Sequence, residues 1–241
     1  MLRNFNDQPC SERVIVALDC PHQQALNLAR QLAGYASWVK VGMTLYYEAG
    51  PAIVKELKAL GFKVFLDLKM HDIPHQVEGG ALSAAQTGAD MLTFHCLGGK
   101  TMLEAACRGL EQAHELDANI MCASLGITIL TSHSQADLEQ IGLTGSVSTR
   151  VSALAQLACD AGLTGVVASP FEAQQLRSEL GEEAFIVTPG IRLHAAQNDD
   201  QKRIATPRMA FEAGASHIVV GRPITQAENP VSAFKNICVD I

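Results

Sequence analysis

One eight-residue stretch, DLKMHDIP at 67–74, concentrates the residue types that can do chemistry. Asp67 and Lys69 stand two positions apart, and on an extended strand that spacing turns both side chains to one face. Asp72 follows three residues later, in a turn that Pro74 stiffens. Lys40 ends an earlier apolar run, WVKVG at 38–42. Lys40, Asp67, Lys69 and Asp72 thus make a candidate array of alternating charge. A lysine flanked by carboxylates stays protonated even when it is buried. An ammonium fixed in a dry cavity can stabilise a localised negative charge on a reacting atom and then protonate it. The same residues also admit a bland reading as a salt-bridge network at a rim, and Asp-x-Lys alone favours that one. Four charges converging at one functional end of a fold favour the chemical one.

A second group suits phosphate. Gly190-Ile191-Arg192 and Gly221-Arg222 each pair a glycine with an arginine. Glycine lets backbone N–H groups approach an anion, and the guanidinium offers a two-pronged donor. Asp19 and His95 also follow or end apolar runs. His71 and His95 invite a metal reading, but they lack a close carboxylate–histidine spacing and stand beside competing lysines. A structural or supporting role is therefore expected for both, and no metal. Ser124, Ser132 and Ser169 sit in no nucleophile elbow, so covalent serine catalysis is not expected.

Eight short runs rich in Val, Ile and Phe can carry these residues. They are 14–18, 38–41, 64–66, 91–94, 120–123, 165–168, 185–187 and 218–220. Helical patterns lie between them, at 23–32, 51–60, 76–87, 101–116, 150–161, 172–180 and 205–213. Gly34, Gly61 and Gly88 stand where helices stop. Alternating strands and helices imply a parallel sheet, and eight units in ~250 residues match a closed (β/α)8 TIM barrel, with a doubly wound open sheet as the alternative. No linker or low-complexity segment divides the chain, so residues 1–241 are expected to form a single barrel domain. Two long loops, 128–149 and 190–206, follow the fifth and seventh strands, on the side where barrel enzymes keep their active sites.

Composition excludes other classes. Lys plus Arg is 18 and Asp plus Glu is 25, a net charge of −7 that offers no general attraction for nucleic acid or anionic lipid. The richest apolar stretch, 120–130, falls far short of the ~20 residues needed to cross a bilayer. The first ten residues contain Asp7 and no apolar core of a signal peptide, so a cytoplasmic protein is expected. Seven cysteines, an odd number with no C-x-x-C, are expected to be buried and reduced.

Taken together, WVKVG at 38–42, DLKMHDIP at 67–74, LTS at 130–132, PGIR at 189–192, DDQKR at 199–203 and VVGRPI at 219–224 resemble the orotidine 5′-phosphate decarboxylase family in its bacterial form. The likeness runs from Val14 to about Ile224. It implies a (β/α)8 barrel that works as a homodimer without cofactor or metal, converting orotidine 5′-phosphate to UMP and CO2 at the end of UMP biosynthesis. It further implies that Lys69 stabilises and protonates the C6 carbanion, with Asp67 beside the departing carboxylate. Lys40 and Asp19 would bind the ribose, Thr131 the pyrimidine edge, and Arg192, Gly221 and Arg222 the phosphate. Gln201 would span phosphate and base. Asp72, with Ile73 and Gln76 near it, would serve the neighbouring subunit's site. The chain departs from the family's usual Asp-Ile-Pro-Asn-Thr at His75-Gln76, so Gln76 replaces a threonine that contacts the partner's ribose. Two rivals stay open: a Mg2+-dependent sugar-phosphate decarboxylase or aldolase, and a non-catalytic phosphate-binding barrel. The first would carry a glutamate where this chain has Lys40; the second would gain nothing from a buried charge array.

Overall fold

The computed structural model describes residues 5–192 and 205–239. Eight strands, β1 (Val14–Ala17), β2 (Trp38–Gly42), β3 (Lys63–Met70), β4 (Met91–His95), β5 (Ala123–Ile127), β6 (Gly165–Val167), β7 (Phe185–Thr188) and β8 (His217–Val220), pair in that order. Every neighbouring pair is parallel, and β1 closes on β8. This is the (β/α)8 barrel expected from the alternating pattern. The helices are α1 (Cys10–Arg13), α2 (His22–Leu32), α3 (Met43–Ala49), α4 (Ala52–Ala59), α5 (Pro74–Ala85) and α6 (Lys100–Leu116). They continue with α7 (Gln135–Gln140), α8 (Val147–Asp160), α9 (Ala173–Leu180), α10 (Pro207–Glu212), α11 (Arg222–Thr225) and α12 (Pro230–Val239). Gly34, Gly61 and Gly88 do end helical units, each with a positive φ that a side chain would resist. Among the described residues no helix is long and apolar enough to cross a membrane.

Two expectations need correction. The fifth strand is not the apolar run 120–123 but Ala123–Ile127, and Met121 is 71% exposed. The reason is steric. A Cβ at Gly126 would lie 2.6 Å from Cys96 Sγ and 2.8 Å from Ala158 Cβ, so only a strand carrying glycine there lets α8 close on the barrel. The cysteines are not all reduced either. Cys10 in α1 and Cys238 in α12 form a disulfide, their Cα atoms 5.4 Å apart. Their sequence separation of 228 residues hid the pairing, because proximity of the two ends follows from barrel closure and not from any local motif. Cys96, Cys107, Cys122, Cys159 and Cys20 are free thiols.

Apolar side chains fill two layers, one between strands and helices and one inside the barrel, where Ile15, Phe65, Met91, Leu125, Val187 and Val219 meet. The floor of the barrel, at the strands' amino ends, is closed by Phe5, Trp38 and Phe185, whose rings surround His217 at centroid distances of 5.7, 5.8 and 5.4 Å. Burial, then the positive charges of Arg13 and Lys63, push the His217 pKa down to about 3, against some opposition from Glu12. In the unfolded chain this group takes up a proton near its ordinary value of 6.5, whereas the folded protein resists until about 3. The unfolded state therefore binds more protons between these limits, and stability falls as pH drops through that window. His217→Leu should make the decline of the urea midpoint between pH 6 and pH 4 shallower. Parallel declines in parent and variant would refute the assignment.

Candidate active site

Strand register brings the charges together. Lys40 lies in the middle of β2, one neighbour of β3, and Gly42 at the end of β2 lies opposite Asp67. The Lys40 ammonium donates to Asp19 Oδ1 at 2.8 Å and lies 3.6 Å from Asp67 Oδ2. Lys69 Nζ donates to the same Asp67 oxygen at 2.8 Å. The result is a chain, Asp19–Lys40–Asp67–Lys69, in which each internal charge touches two of opposite sign. Burial alone would lower the Lys40 pKa, but the charges of Asp67 and Asp19 outweigh it and hold the ammonium above its ordinary range. Burial likewise opposes ionisation of Asp67, and Lys40, Lys69 and a hydrogen bond from Thr93 more than reverse that. Lys40 and Asp67 are thus both ionised at neutral pH.

Three local features position it. Gly42 is needed for lack of a side chain: a Cβ there would sit 2.8 Å from Asp19 Oδ1 and 3.1 Å from Lys40 Nζ. The β3–β4 register shifts between Leu66 and Met70, a bulge that re-aims the end of β3. Within it Lys69 has a φ of 51°, the one positive value at a non-glycine among the described residues. For a lysine that conformation costs about 1–2 kcal/mol, a strain of the kind that collects at functional sites.

These groups open into a cavity of about 680 Å³ at the carboxyl ends of the strands. Asp19, Lys40, Asp67 and Lys69 line it together with Thr131, Arg192, Gly221 and Arg222, so the expected charge array and both Gly-Arg loops share one space. The stem of the loop after β7 is pinned by backbone bonds, Arg192 N to Ala205 O at 3.0 Å and Ala205 N to Gly190 O at 3.3 Å. Gln201 lies outside the described residues.

Other expected residues go elsewhere. Within one chain Asp72 does not join the array. Its carboxylate accepts the N–H of Ile73 at 2.6 Å, and it lines a separate groove of about 990 Å³ together with Gln76. Ile73 beside it is 63% exposed and Tyr47 across that groove 76%. His95 does not line the cavity. It stacks on His71 with ring centroids 5.1 Å apart, and its Nδ1 accepts the N–H of Leu97 at 3.4 Å. Burial first, then His71, His133 and Lys69, push its pKa down to about 4, so it is neutral in the working range. Sequence reasoning passed over Gly42 and Thr93. A polar residue inside an apolar strand, as Thr93 is in MLTFH, was the available signal for the latter.

A closed parallel barrel with a paired charge array, buried at Lys40 and Asp67, and Gly-Arg loops at its carboxyl-end mouth defines a (β/α)8-barrel enzyme whose site is built for an anionic ligand. More particularly, the chain belongs to the orotidine 5′-phosphate decarboxylase / HUMPS family, whose sequence model matches residues 12–237. It is 47% identical over 230 residues to the orotidine 5′-phosphate decarboxylase of Nitrosococcus oceani, covering 95% of this chain and 97% of that protein. It is 44% identical to the Bacillus cereus protein of the same name, over 94% of this chain and 96% of the relative. The crystal structure of the orotidine 5′-phosphate decarboxylase from Lactobacillus acidophilus superposes with a TM-score of 0.85 at 39% identity, covering 95% of this chain and 98% of that one.

Removing Lys40 would leave Asp67 buried with one cation. Lys40→Met should cost about 3 kcal/mol at pH 7.5, because a buried charge loses a partner. Burial would then raise the Asp67 pKa, and protonation would relieve the penalty in acid. Urea unfolding should accordingly show the gap between parent and variant narrowing from pH 7.5 to pH 4.5. An equal gap at both values would argue against the pairing.

Proposed function

We propose that this chain decarboxylates orotidine 5′-phosphate to UMP and CO2, the step that completes UMP biosynthesis, by a mechanism that needs neither metal nor cofactor. The observation that carries the reading is the Asp19–Lys40–Asp67–Lys69 chain facing the same cavity as Arg192 and Arg222. The near full-length relatives named above support the substrate. Loss of CO2 from C6 leaves an electron pair in the plane of the pyrimidine ring, where the ring carbonyls cannot delocalise it. Stabilisation must come from a fixed opposite charge, and Lys69 supplies it and then donates its proton to C6. Asp67 holds and orients Lys69, and it lies beside the departing carboxylate. Lys40 and Asp19 bind the ribose hydroxyls, and Thr131 reads the edge of the base. Arg192, Arg222 and the Gly221 backbone grip the phosphate, and Gln201 binds both phosphate and base.

The metal-dependent rival is disfavoured by Lys40 itself. An ammonium at that point on β2 supplies no oxygen ligand and repels a divalent cation. A pure binding barrel is disfavoured by the array, since burying Lys40 and Asp67 costs stability and phosphate binding alone gains nothing from it.

The working unit in this reading is a cytoplasmic homodimer of single-domain barrels. Asp72, turned away from its own chain's array and flanked by exposed Ile73, completes the neighbouring subunit's array, with Gln76 beside that subunit's ribose.

Orotidine 5′-phosphate mixed with the protein should lose its ultraviolet band at the same rate with and without a chelator. A chelator-sensitive rate would favour the metal-dependent rival, and no loss in either case would favour the binding barrel. Lys69→Ala should lower turnover by at least ~10³-fold while nucleotide binding stays measurable, because its charge acts on an anion present only in the transition state. Turnover within tenfold of the parent would exclude Lys69 as proton donor. Lys69→Ala and Asp72→Asn should each be nearly inactive, yet mixing them under subunit exchange should restore about a quarter of parental activity. About half the dimers are then mixed, and each carries one intact pocket of two. Heterodimers seen by mass spectrometry without recovered activity would place Asp72 in its own chain's function.

A further inference from the structure

The bulge in β3 creates a problem at the residue that the proposed chemistry needs most. Leu66 pairs with Leu92 and Met70 with Phe94, so β3 takes four steps where β4 takes two. Lys69 sits inside that excess with its left-handed backbone. An extra residue in a bulge drops out of the strand ladder, and its N–H must find another acceptor. The acceptor is a side chain, Thr93 Oγ1, at 2.9 Å. Thr93 stands on β4 between the two register pairs and is 1% exposed.

A hydroxyl has one proton, and the geometry fixes where it goes. The Lys69 N–H can only donate and an ionised carboxylate can only accept, so Thr93 accepts from the first and donates to the second, Asp67 Oδ1, at 3.0 Å. Asp67 Oδ2 is thereby turned toward the two ammonium groups, Lys69 at 2.8 Å and Lys40 at 3.6 Å. The bonds close a ring: the Lys69 N–H donates to Thr93, Thr93 donates to Asp67 Oδ1, and the Lys69 ammonium donates to Asp67 Oδ2. Thr93 is not among the residues lining the cavity, so it meets no ligand there.

We propose that Thr93 is a positioning residue of this site, whose single buried hydroxyl sets both the backbone of Lys69 and the rotation of the Asp67 carboxylate and so aims the ammonium. This inference rests on the decarboxylase reading of the site. Valine has the same shape as threonine but would leave a buried N–H and a carboxylate oxygen without a partner. Serine keeps the hydroxyl and loses only a methyl group.

The test uses the full chain, with Thr93→Val, Thr93→Ala and Thr93→Ser assayed on orotidine 5′-phosphate across pH, and UMP binding as the check on folding. Thr93→Val should lose at least tenfold in kcat with KM within threefold of the parent, whereas Thr93→Ser should stay within threefold on both. The acid limb of kcat should move to higher pH in Thr93→Val but not in Thr93→Ser, since Asp67 loses a donor to its ionised form only in the former. If Thr93→Val does not fold, Thr93→Ala is held to the same limits against Thr93→Ser. A hydroxyl-free variant with parental kcat, a loss confined to KM, or Thr93→Ser as poor as Thr93→Val would each overturn the inference while an active parent upholds the decarboxylase reading. A parent that leaves orotidine 5′-phosphate unchanged would overturn that reading, and this inference with it.

Discussion

A carboxylate taken out of water must be met by positive charge, and Asp67 is met twice. Its oxygen Oδ2 faces Lys69 on its own strand and Lys40 on the next one, and the geometry of the mouth follows from that demand. Two lysines cannot share one carboxylate unless their strands are in register, which the β2–β3 ladder provides. Lys40 then needs a second carboxylate, and Asp19 reaches it only because Gly42 leaves the space empty. Lys69 reaches back to a residue two positions earlier in its own strand, and it does so from within the bulge. The bulge and the left-handed backbone are the local cost of aiming an ammonium inward.

This arrangement separates two kinds of buried polar group in one barrel. At the mouth, charges are paired with charges, and Lys40 and Asp67 stay ionised. At the floor, His217 is enclosed by aromatic rings and flanked by Arg13 and Lys63, and it stays neutral. The first arrangement stores an electrostatic field where a ligand can meet it. The second seals the barrel and contributes to stability only while the imidazole is uncharged. Both lie on the same short strands, separated by the apolar layer around Phe65, Met91 and Leu125.

Much of this was legible in the sequence for identifiable reasons. Strand-helix alternation carries the barrel, because each element must bury its own face in a fixed period. Asp67 and Lys69 were legible because charge inside an apolar run requires a partner. The fifth strand was misplaced because hydrophobicity favours 120–123, whereas close packing against Cys96 and Ala158 selects the segment containing Gly126. Asp72 looked like a member of the array by spacing alone, but the turn after Lys69 points its carboxylate at the Ile73 N–H. Thr93 escaped notice because its importance lies in a bulge on another strand, and no local pattern announces a register shift. Cys10 and Cys238 escaped because their proximity is a property of closure.

That last pair has a consequence for how the barrel is encoded. With Cys10 and Cys238 bonded, the backbone from one to the other forms a covalent ring, and the ring's beginning is arbitrary. What the fold requires is the cyclic succession of strand-helix units, not which of them is translated first. A chain joined across its ends and opened at a helix-to-strand turn on the floor, near Gly61 or Gly88, would spell the same cylinder and leave every loop of the mouth uncut. Linear order is thus a historical property of this molecule, while neighbourhood around the barrel is the physical one.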